Sequence, residues 1–196
     1  MLYKVFPGPA EEEEALDQII KDGFREIKSP NTYPFICEKE EYPLRFNPQA
    51  LFLAGGISGC PDWQSEMVKL LEDTDLIIYN PRRDDFDTSN LSLSEQQIEW
   101  EYKHLNRSHW ISFWFPCETL CPITLYELGV WANCTNTNTY DVFVGCHPDY
   151  ARKFDVVKQL SLMNPRIEVV FSLEELANQI KEQKKTLSRR LRACYS

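Results

Sequence analysis

From residue 50 onwards, short apolar runs alternate along the chain with longer amphipathic segments. Short apolar runs bounded by turn residues are typical of buried strands, and an apolar period of 3.6 residues is typical of helices. The predicted strands are LFLAGG, LIIYNP, HWISFWF, YDVFVGC and IEVVF. Strands that alternate with helices predict an α/β fold, here a doubly wound, five-stranded parallel sheet with helices on both faces.

The first predicted helix covers 62–72, where Trp63, Met67 and Leu71 recur on one face. A second helix is predicted to begin at Ser92, because Ser92 and Glu95 have the spacing of a capping box. Three further helices are predicted in the second half of the chain, at 122–133, 150–162 and 172–184.

Glu101 stands out on the second predicted helix. The apolar residues predicted to face the sheet from this helix are Ile98, Tyr102 and Leu105. Glu101 falls on the same face at 100° per residue. Because a carboxylate that faces an apolar core is costly, Glu101 must be paired or functional.

The chain divides into three predicted parts. Residues 1–48 form an N-terminal extension packed on the main domain, with a candidate helix from Glu14 to Phe24. Residues 49–185 form the α/β domain, and residues 186–196 form a basic C-terminal tail that is mobile or contacts a partner.

Composition narrows the class of protein. A formal net charge of -9 opposes binding to polymeric nucleic acid, which requires a basic surface. No apolar run reaches the roughly 18 residues of a membrane helix, so we expect a soluble, cytoplasmic protein without a membrane partner. The seven cysteines are scattered and odd in number, which indicates reduced thiols. Neither they nor the histidines have metal-ligand spacing, and no cofactor is expected.

Ligands of open parallel sheets bind at the carboxyl ends of the strands, so the segments that follow the strands are candidate sites. Gly55 and Gly56 allow close backbone approach to a ligand, although glycines there also simply make a turn. Arg82, in NPRR after the second predicted strand, is suited to an anion, or belongs to a solvated charged loop.

Glu127 lies near the start of the helix that follows the third predicted strand. One interpretation is structural, since Thr124 and Glu127 have capping-box spacing and an acid suits the helix N-terminus. The other is catalytic: transfer at a glycosidic carbon needs a carboxylate nucleophile and a second acid for the leaving group. Glu101 and Glu127 lie in elements that flank one strand, which places both within possible reach of one site.

Four segments together resemble the nucleoside 2-deoxyribosyltransferase-like family: LFLAGGISG, YNPRR, QIEWEYKHLNRSHWISFWF and PITLYELGVW. The resemblance covers about Leu51 to Leu176. It implies a flavodoxin-like sheet and a double displacement, in which a glutamate attacks C1′ of a 2′-deoxynucleoside and another base or water then collects the sugar.

The resemblance also implies residue roles. Glu127 matches the family's nucleophile, and Glu101 aligns with an aspartate that contacts the base and helps its protonation. Cys121 stands where the family has another acid, with Glu118 as the nearest carboxylate. The other residues expected to bind substrate or to lie at the pocket rim are Gly55, Gly56, Asn80, Arg82 and Trp100.

The leading hypothesis is transfer of the sugar of a small nucleoside or nucleotide to a free base. The alternatives are an N-glycosidase that uses Glu127 for hydrolysis, a non-catalytic nucleotide-binding module, and an enzyme that cleaves NAD. Because a neighbouring subunit commonly completes the pocket in this family, the resemblance implies a homodimer or a higher homo-oligomer.

Overall fold

A computed structural model describes residues 25–29, 49–83, 89–134 and 141–194. The described strands are β1 (Arg25–Lys28), β2 (Ala50–Gly55), β3 (Ile77–Asn80), β4 (Trp110–Phe115), β5 (Asp141–Cys146) and β6 (Val169–Val170). They form one sheet in the order β1-β3-β2-β4-β5-β6, and every neighbouring pair is parallel. All five predicted strands are present.

The described helices are α1 (Trp63–Leu70), α2 (Leu91–Leu105), α3 (Pro122–Cys134), α4 (Lys153–Met163) and α5 (Leu173–Cys194). Side chains of α1 and α5 pack on one face of the sheet, and those of α2, α3 and α4 pack on the other. The predicted flavodoxin-like, doubly wound α/β fold is therefore confirmed. None of the helices in the described ranges has the length and apolar character to cross a bilayer.

The sheet gains a sixth strand from the segment predicted to be an N-terminal extension. Strand β1 pairs with β3 from Arg25 opposite Ile77 to Lys28 opposite Asn80. The sequence REIK is short and largely charged, so it carries little strand signal, but charged side chains suit the edge of a sheet. The helix predicted from Glu14 to Phe24 lies outside the described residues.

The burial of strand β4 explains why the sequence predicts the sheet clearly. All six residues of β4 are buried, because helices cover both faces of the sheet. Phe113 and Phe115 pack in the layer beneath α2, α3 and α4, whereas Trp110 and Trp114 pack beneath α1 and α5. A strand buried on both faces is apolar throughout.

Helix α2 differs from its prediction in its start and its buried face. Asn90 caps it, because its side-chain oxygen accepts hydrogen bonds from the N–H groups of Ser92 and Leu93, so the predicted start at Ser92 is wrong. Ile98 and Tyr102 are 66% and 71% exposed, so the predicted apolar stripe is also wrong there. The residues that α2 buries are Gln97, Trp100, His104 and Leu105.

The last helix is longer than predicted. Helix α5 continues through Cys194, so most of the segment predicted to be a mobile or partner-contacting tail is helical. Its earlier part is tied to the turn after α1, because Lys181 and Lys184 lie 2.7 and 2.8 Å from carboxylate oxygens of Asp73 and Asp75. These ion pairs bridge the two helices on one face of the sheet.

Candidate active site

The order of the strands reverses between β2 and β4, since the chain passes from β2 to β3 on one side and then to β4 on the other. A crevice at such a switch point, at the carboxyl ends of the strands, is where open α/β sheets bind ligands. The loops that follow β2 and β4 meet at this point. A Cβ atom on Gly56 would lie 2.8 Å from Pro116 Cγ and 2.9 Å from Cys121 Sγ.

The two glycines after β2 are explained by packing inside the protein. A Cβ atom on Gly55 would lie 2.4 Å from the carbonyl oxygen of Trp114 and 2.5 Å from the ring of Trp63. Gly56 would meet the β4–α3 loop in the same way. Contact between substrate and the backbone of Gly55 or Gly56 stays a prediction.

Helix α3 carries Glu127 in its second turn. The helix begins at Pro122, whose fixed φ suits a first helical position, and the N–H of Leu125 donates to the carbonyl of Cys121 at 2.9 Å. Thr124 is therefore already inside the helix and buried, so it does not form a capping box with Glu127. Capping does not account for a glutamate at position 127.

The ionisation of Glu127 is linked to that of Glu101. Burial raises the pKa of Glu127, and the charge on Glu101 raises it further, to about 8. This electrostatic effect indicates that the two carboxyl groups lie near enough for the charge on one to influence the ionisation of the other. Helices α2 and α3, which carry the two residues, pack on the same face of the sheet, and the convergence of Glu101 and Glu127 in one catalytic site stays a prediction.

Glu101 has a fixed hydrogen-bond donor. Gln97 Nε2, one turn earlier on α2, donates to Glu101 Oε1 at 2.8 Å. Burial raises the pKa of Glu101, and the hydrogen bond from Gln97 opposes that rise by stabilising the ionised form. Since the pKa of Glu127 lies above neutrality, the pair retains at least one proton at pH 7.

One ionised and one protonated carboxyl group in a shared site can act as nucleophile and acid. Glycosidic bond cleavage requires this combination, because one group must attack or stabilise the sugar carbon while the other protonates the leaving group. The two groups differ here in what shifts their pKa values: burial raises both, the charge on Glu101 raises that of Glu127 further, and the hydrogen bond from Gln97 lowers that of Glu101.

Arg82 anchors the loop between β2 and α1. Its Nη2 donates to the carbonyl of Pro61 at 2.8 Å, and its Nε lies 2.9 Å from Gln64 Oε1 and 3.1 Å from Asp62 Oδ1. The side chain is mostly buried, so this is not a solvated charged loop. The contact of Arg82 with an anion stays a prediction, and its guanidinium has partners within the protein.

Asn80 joins strands β1 and β3. Its Nδ2 donates to Glu26 Oε1 at 2.6 Å, and its Oδ1 accepts from the N–H of Arg82 at 2.9 Å. Asn80 is fully buried, and its carbonyl oxygen accepts from the N–H of Ser29. A substrate contact of Asn80 stays a prediction, while its structural role at the edge of the sheet is clear.

Trp100 lies in the core, and its predicted place near the substrate pocket stays a prediction. It is 4% exposed, and its ring stacks on His104 with centroids 4.0 Å apart. His104 Nδ1 donates to the carbonyl of Trp100 at 2.7 Å. Burial lowers the pKa of His104 to about 4, with smaller contributions from Arg107 and Lys103, so this imidazole is neutral at pH 7.

The β4–α3 loop contains a thiol where the family resemblance implied a second acid. Cys121 is buried with a φ of 48°, and burial, together with nearby Cys60 and Glu118, raises its pKa to about 12. Glu118 is exposed on the same loop. The carboxyl group that acts on the pKa of Glu127 is Glu101, so the proposed substitution of Glu118 for the missing acid stays a prediction.

Sequence reasoning missed two residues connected to this site, Gln97 and Ser29. Gln97 is four residues before Glu101, a helical spacing that brings side chains into contact, and this signal was available. Ser29 Oγ donates to Gln97 Oε1 at 2.7 Å across 68 residues of sequence. No local pattern predicts such a contact.

In the described part of the chain, no three His, Cys, Asp or Glu side chains are grouped so that they could hold a metal ion.

Comparison with known proteins identifies the family of the chain. The sequence model of the family described as nucleoside 2-deoxyribosyltransferase like matches residues 48–150, more than half of the chain, including both Glu101 and Glu127. The search of curated proteins finds no match. The chain belongs to the nucleoside 2-deoxyribosyltransferase like family.

Proposed function

We propose that the protein cleaves the N-glycosidic bond of a nucleoside or nucleotide, with or without a 2′-hydroxyl, and transfers the sugar to a free base. In this proposal Glu127 is the nucleophile and Glu101 is the acid and base. The supporting observation is the pair of carboxyl groups in one site, with the pKa of both raised by burial. Membership of the family supports the class of substrate.

The reaction has two balanced steps. A carboxylate oxygen of Glu127 attacks C1′, the bond from C1′ to the base nitrogen breaks, and its electron pair stays on the base, which takes a proton from Glu101. This leaves a glycosyl ester on Glu127. An incoming base nitrogen then attacks C1′, the ester C–O bond breaks with its electrons returning to Glu127, and Glu101 accepts the proton.

Substrate determines where the single proton of the pair lies. The donor from Gln97 favours charge on Glu101. A base nitrogen that accepts a hydrogen bond from Glu101 favours the proton on Glu101 and therefore the charge on Glu127. Binding of the leaving base thus prepares the nucleophile, because the two carboxyl groups titrate as a unit.

We propose that a second copy of the chain covers the apolar surface beside the two carboxyl groups. On α2, Ile98 and Tyr102 are exposed near Glu101, and on α3, Ile123 and Tyr126 are exposed near Glu127. Grouped exposed apolar side chains are typical of interfaces. Sedimentation velocity should show a dimer or larger that Tyr126→Glu dissociates, and a monomeric wild type would contradict this proposal.

Hydrolysis is a second candidate, and Cys121 favours it. If the acid that the family has at this position helps to bind the acceptor base, a buried neutral thiol with a pKa near 12 does not replace it. Water then accepts the sugar from the glycosyl ester on Glu127. The two reactions share the first step and differ only in the acceptor.

The test is an incubation with a panel of deoxynucleosides, deoxynucleotides and NAD, each with and without adenine or cytosine, followed by chromatography. Glu127→Gln is the inactive variant, and Glu99→Gln is the matched control because Glu99 is exposed on α2. A new nucleoside that requires both wild type and added base supports transfer. Free sugar and base regardless of acceptor indicate hydrolysis.

A covalent intermediate provides a second readout. Acid quenching of the wild type with a deoxynucleoside should leave the mass of one deoxyribosyl group on the peptide that contains Glu127. If no product and no adduct depends on Glu127, the catalytic proposal fails, and a nucleotide-binding module that does not catalyse is the better interpretation.

A further inference from the structure

Ser29 connects the N-terminal strand to the candidate active site. It follows β1, outside the residues 48–150 that match the family, and it is 5% exposed. Its Oγ donates to Gln97 Oε1 at 2.7 Å, and Gln97 Nε2 donates at 2.8 Å to Glu101 Oε1. A chain of two hydrogen bonds, the first buried and the second partly buried, therefore links the end of β1 to Glu101.

This chain of hydrogen bonds has a direction. The carboxamide of Gln97 has one acceptor end and one donor end, and the carbonyl of Pro81 accepts from Nε2 at 2.8 Å. Since a carbonyl cannot donate, Nε2 must face Pro81 and Glu101, and Oε1 must face the hydroxyl of Ser29. Loss of that hydroxyl leaves Oε1 buried without its donor, which destabilises this placement of the amide and loosens its hydrogen bond to Glu101.

We infer that Ser29 is a positioning residue, which holds the amide of Gln97 so that its N–H group faces Glu101. The N-terminal strand is then part of the machinery of the site and not only an edge of the sheet. The inference rests on the proposed function in one respect, the role of Glu101 as the acid that serves the base.

The hydroxyl of Ser29 can be removed without detaching β1. Four residue pairs join β1 to β3, the N–H of Ser29 donates to the carbonyl of Asn80 at 2.9 Å, and Glu26 accepts from the side chain of Asn80. None of these contacts uses Ser29 Oγ. A change of Ser29 to alanine therefore tests the hydrogen bond to Gln97 while the strand stays paired.

Loss of the Ser29 hydroxyl is expected to change the protonation of Glu101. Glu101 is contacted by Gln97 from its own helix and is faced by Glu127 from α3. Without a donor from Gln97, burial acts unopposed and the pKa of Glu101 rises. The acid limb of the activity profile, where Glu101 and Glu127 are both protonated, then moves to higher pH.

The experiment compares Ser29→Ala with Ser112→Ala in the full chain. Ser112 is a matched control because its hydroxyl is buried in β4 and has no hydrogen-bond partner among the described residues. The carboxyl groups are titrated by ¹³C NMR on glutamate-labelled protein, with Glu101→Gln and Glu127→Gln for assignment. The pH dependence of kcat and KM is measured in parallel.

In Ser29→Ala we expect the Glu101 titration and the acid limb of kcat/KM to shift to higher pH together. We also expect kcat to fall roughly 3- to 30-fold with little change in KM, as for a loss of orientation in the chemical step. Ser112→Ala should behave as wild type. Ser29→Thr, which keeps a hydroxyl, should restore the wild-type titration.

Gln97→Met is the second variant, for the case in which Ser29→Ala does not fold. It removes the buried amide that donates to Glu101 and should shift the Glu101 titration in the same direction. A wild-type titration in a folded Ser29→Ala or Gln97→Met protein overturns the inference. A shifted titration in a protein without any product that depends on Glu127 supports the inference and contradicts the proposed function only.

Discussion

Glu101 on α2 and Glu127 on α3 lie close enough that the charge on Glu101 contributes to a pKa of about 8 for Glu127. The two groups differ in their hydrogen bonds, because Gln97 donates to Glu101. Neighbouring carboxyl groups with different surroundings lose their protons in two steps, and between these steps the pair offers one acid and one base.

The pH dependence of kcat/KM should be bell-shaped. At low pH both carboxyl groups are protonated and no nucleophile is available, and above about pH 8 both are ionised and no acid is available. Glu101→Gln should lower kcat by roughly 100-fold and remove the alkaline limb, because only Glu127 then titrates. Activity that continues to rise well above pH 8 in the wild type would exclude Glu101 as the acid.

Glu127→Gln should stabilise the fold at alkaline pH. The pKa of Glu127 is raised from 4.5 to about 8 in the folded state, so between these values the folded state binds more protons and loses stability as pH rises. The variant lacks this loss. The free energy of unfolding of the variant should exceed that of wild type by an amount that grows from pH 4.5 to pH 8. This difference should reach at most a few kcal/mol, since one pKa unit is about 1.4 kcal/mol.

Urea unfolding at pH 5 and pH 8.5 checks this difference. Glu99→Gln is the control, because its side chain is exposed on α2, and it should change stability equally at the two pH values. Equal stability of Glu127→Gln and wild type at pH 8.5 would mean that Glu127 carries no burial penalty.

His104 should make the fold sensitive to acid. Its pKa is lowered from 6.5 to about 4 in the folded state, so the unfolded state binds more protons in that window and stability is lost as pH falls through it. His104→Phe keeps an aromatic ring beside Trp100 but lacks the hydrogen bond to the backbone carbonyl of Trp100. This loss should lower the free energy of unfolding by about 1 kcal/mol at pH 7. The variant should lose less stability than wild type between pH 6.5 and pH 4.

Thermal or urea unfolding across that range provides the measurement, and His147→Phe is the control because His147 is partly exposed. If wild type and His104→Phe lose stability in parallel, acid sensitivity has another origin.

Gly56→Ala should destabilise the protein and impair activity. The added methyl group would meet Pro116, Thr119 and Cys121 at 2.8 to 2.9 Å, so the β4–α3 loop must move, at a cost of about 1–3 kcal/mol. Gly129→Ala on α3 is the matched control, since its methyl group meets nothing within 4 Å. It should stabilise the helix by roughly 0.5–1 kcal/mol.

The two glycine variants are compared by differential scanning calorimetry and by the chromatographic assay. Gly56→Ala with unchanged stability would mean that the loops after β2 and β4 do not pack as tightly as their contacts indicate.

The class of fold could be predicted because its signal is local. Buried parallel strands such as β4 are apolar throughout, and Pro122 marks the start of α3. Strand β1 was missed because four mostly charged residues become a strand only when β3 offers an edge. Glu101 was selected through a stripe that includes Ile98 and Tyr102, and those two residues proved to be exposed.

The sequence by itself determined the order and type of the main elements, the parallel sheet, and the choice of Glu101 and Glu127 as candidate catalytic residues. Tertiary structure alone decided which face of α2 is buried and that Arg82 binds the loop before α1. It also decided the hydrogen bond from Ser29 to Gln97 and the protonation of the carboxyl pair. The physical reason is the distance along the sequence over which each effect acts. Hydrophobic periodicity depends on residues that are near one another in the sequence. Desolvation and charge coupling depend on groups that only packing brings together.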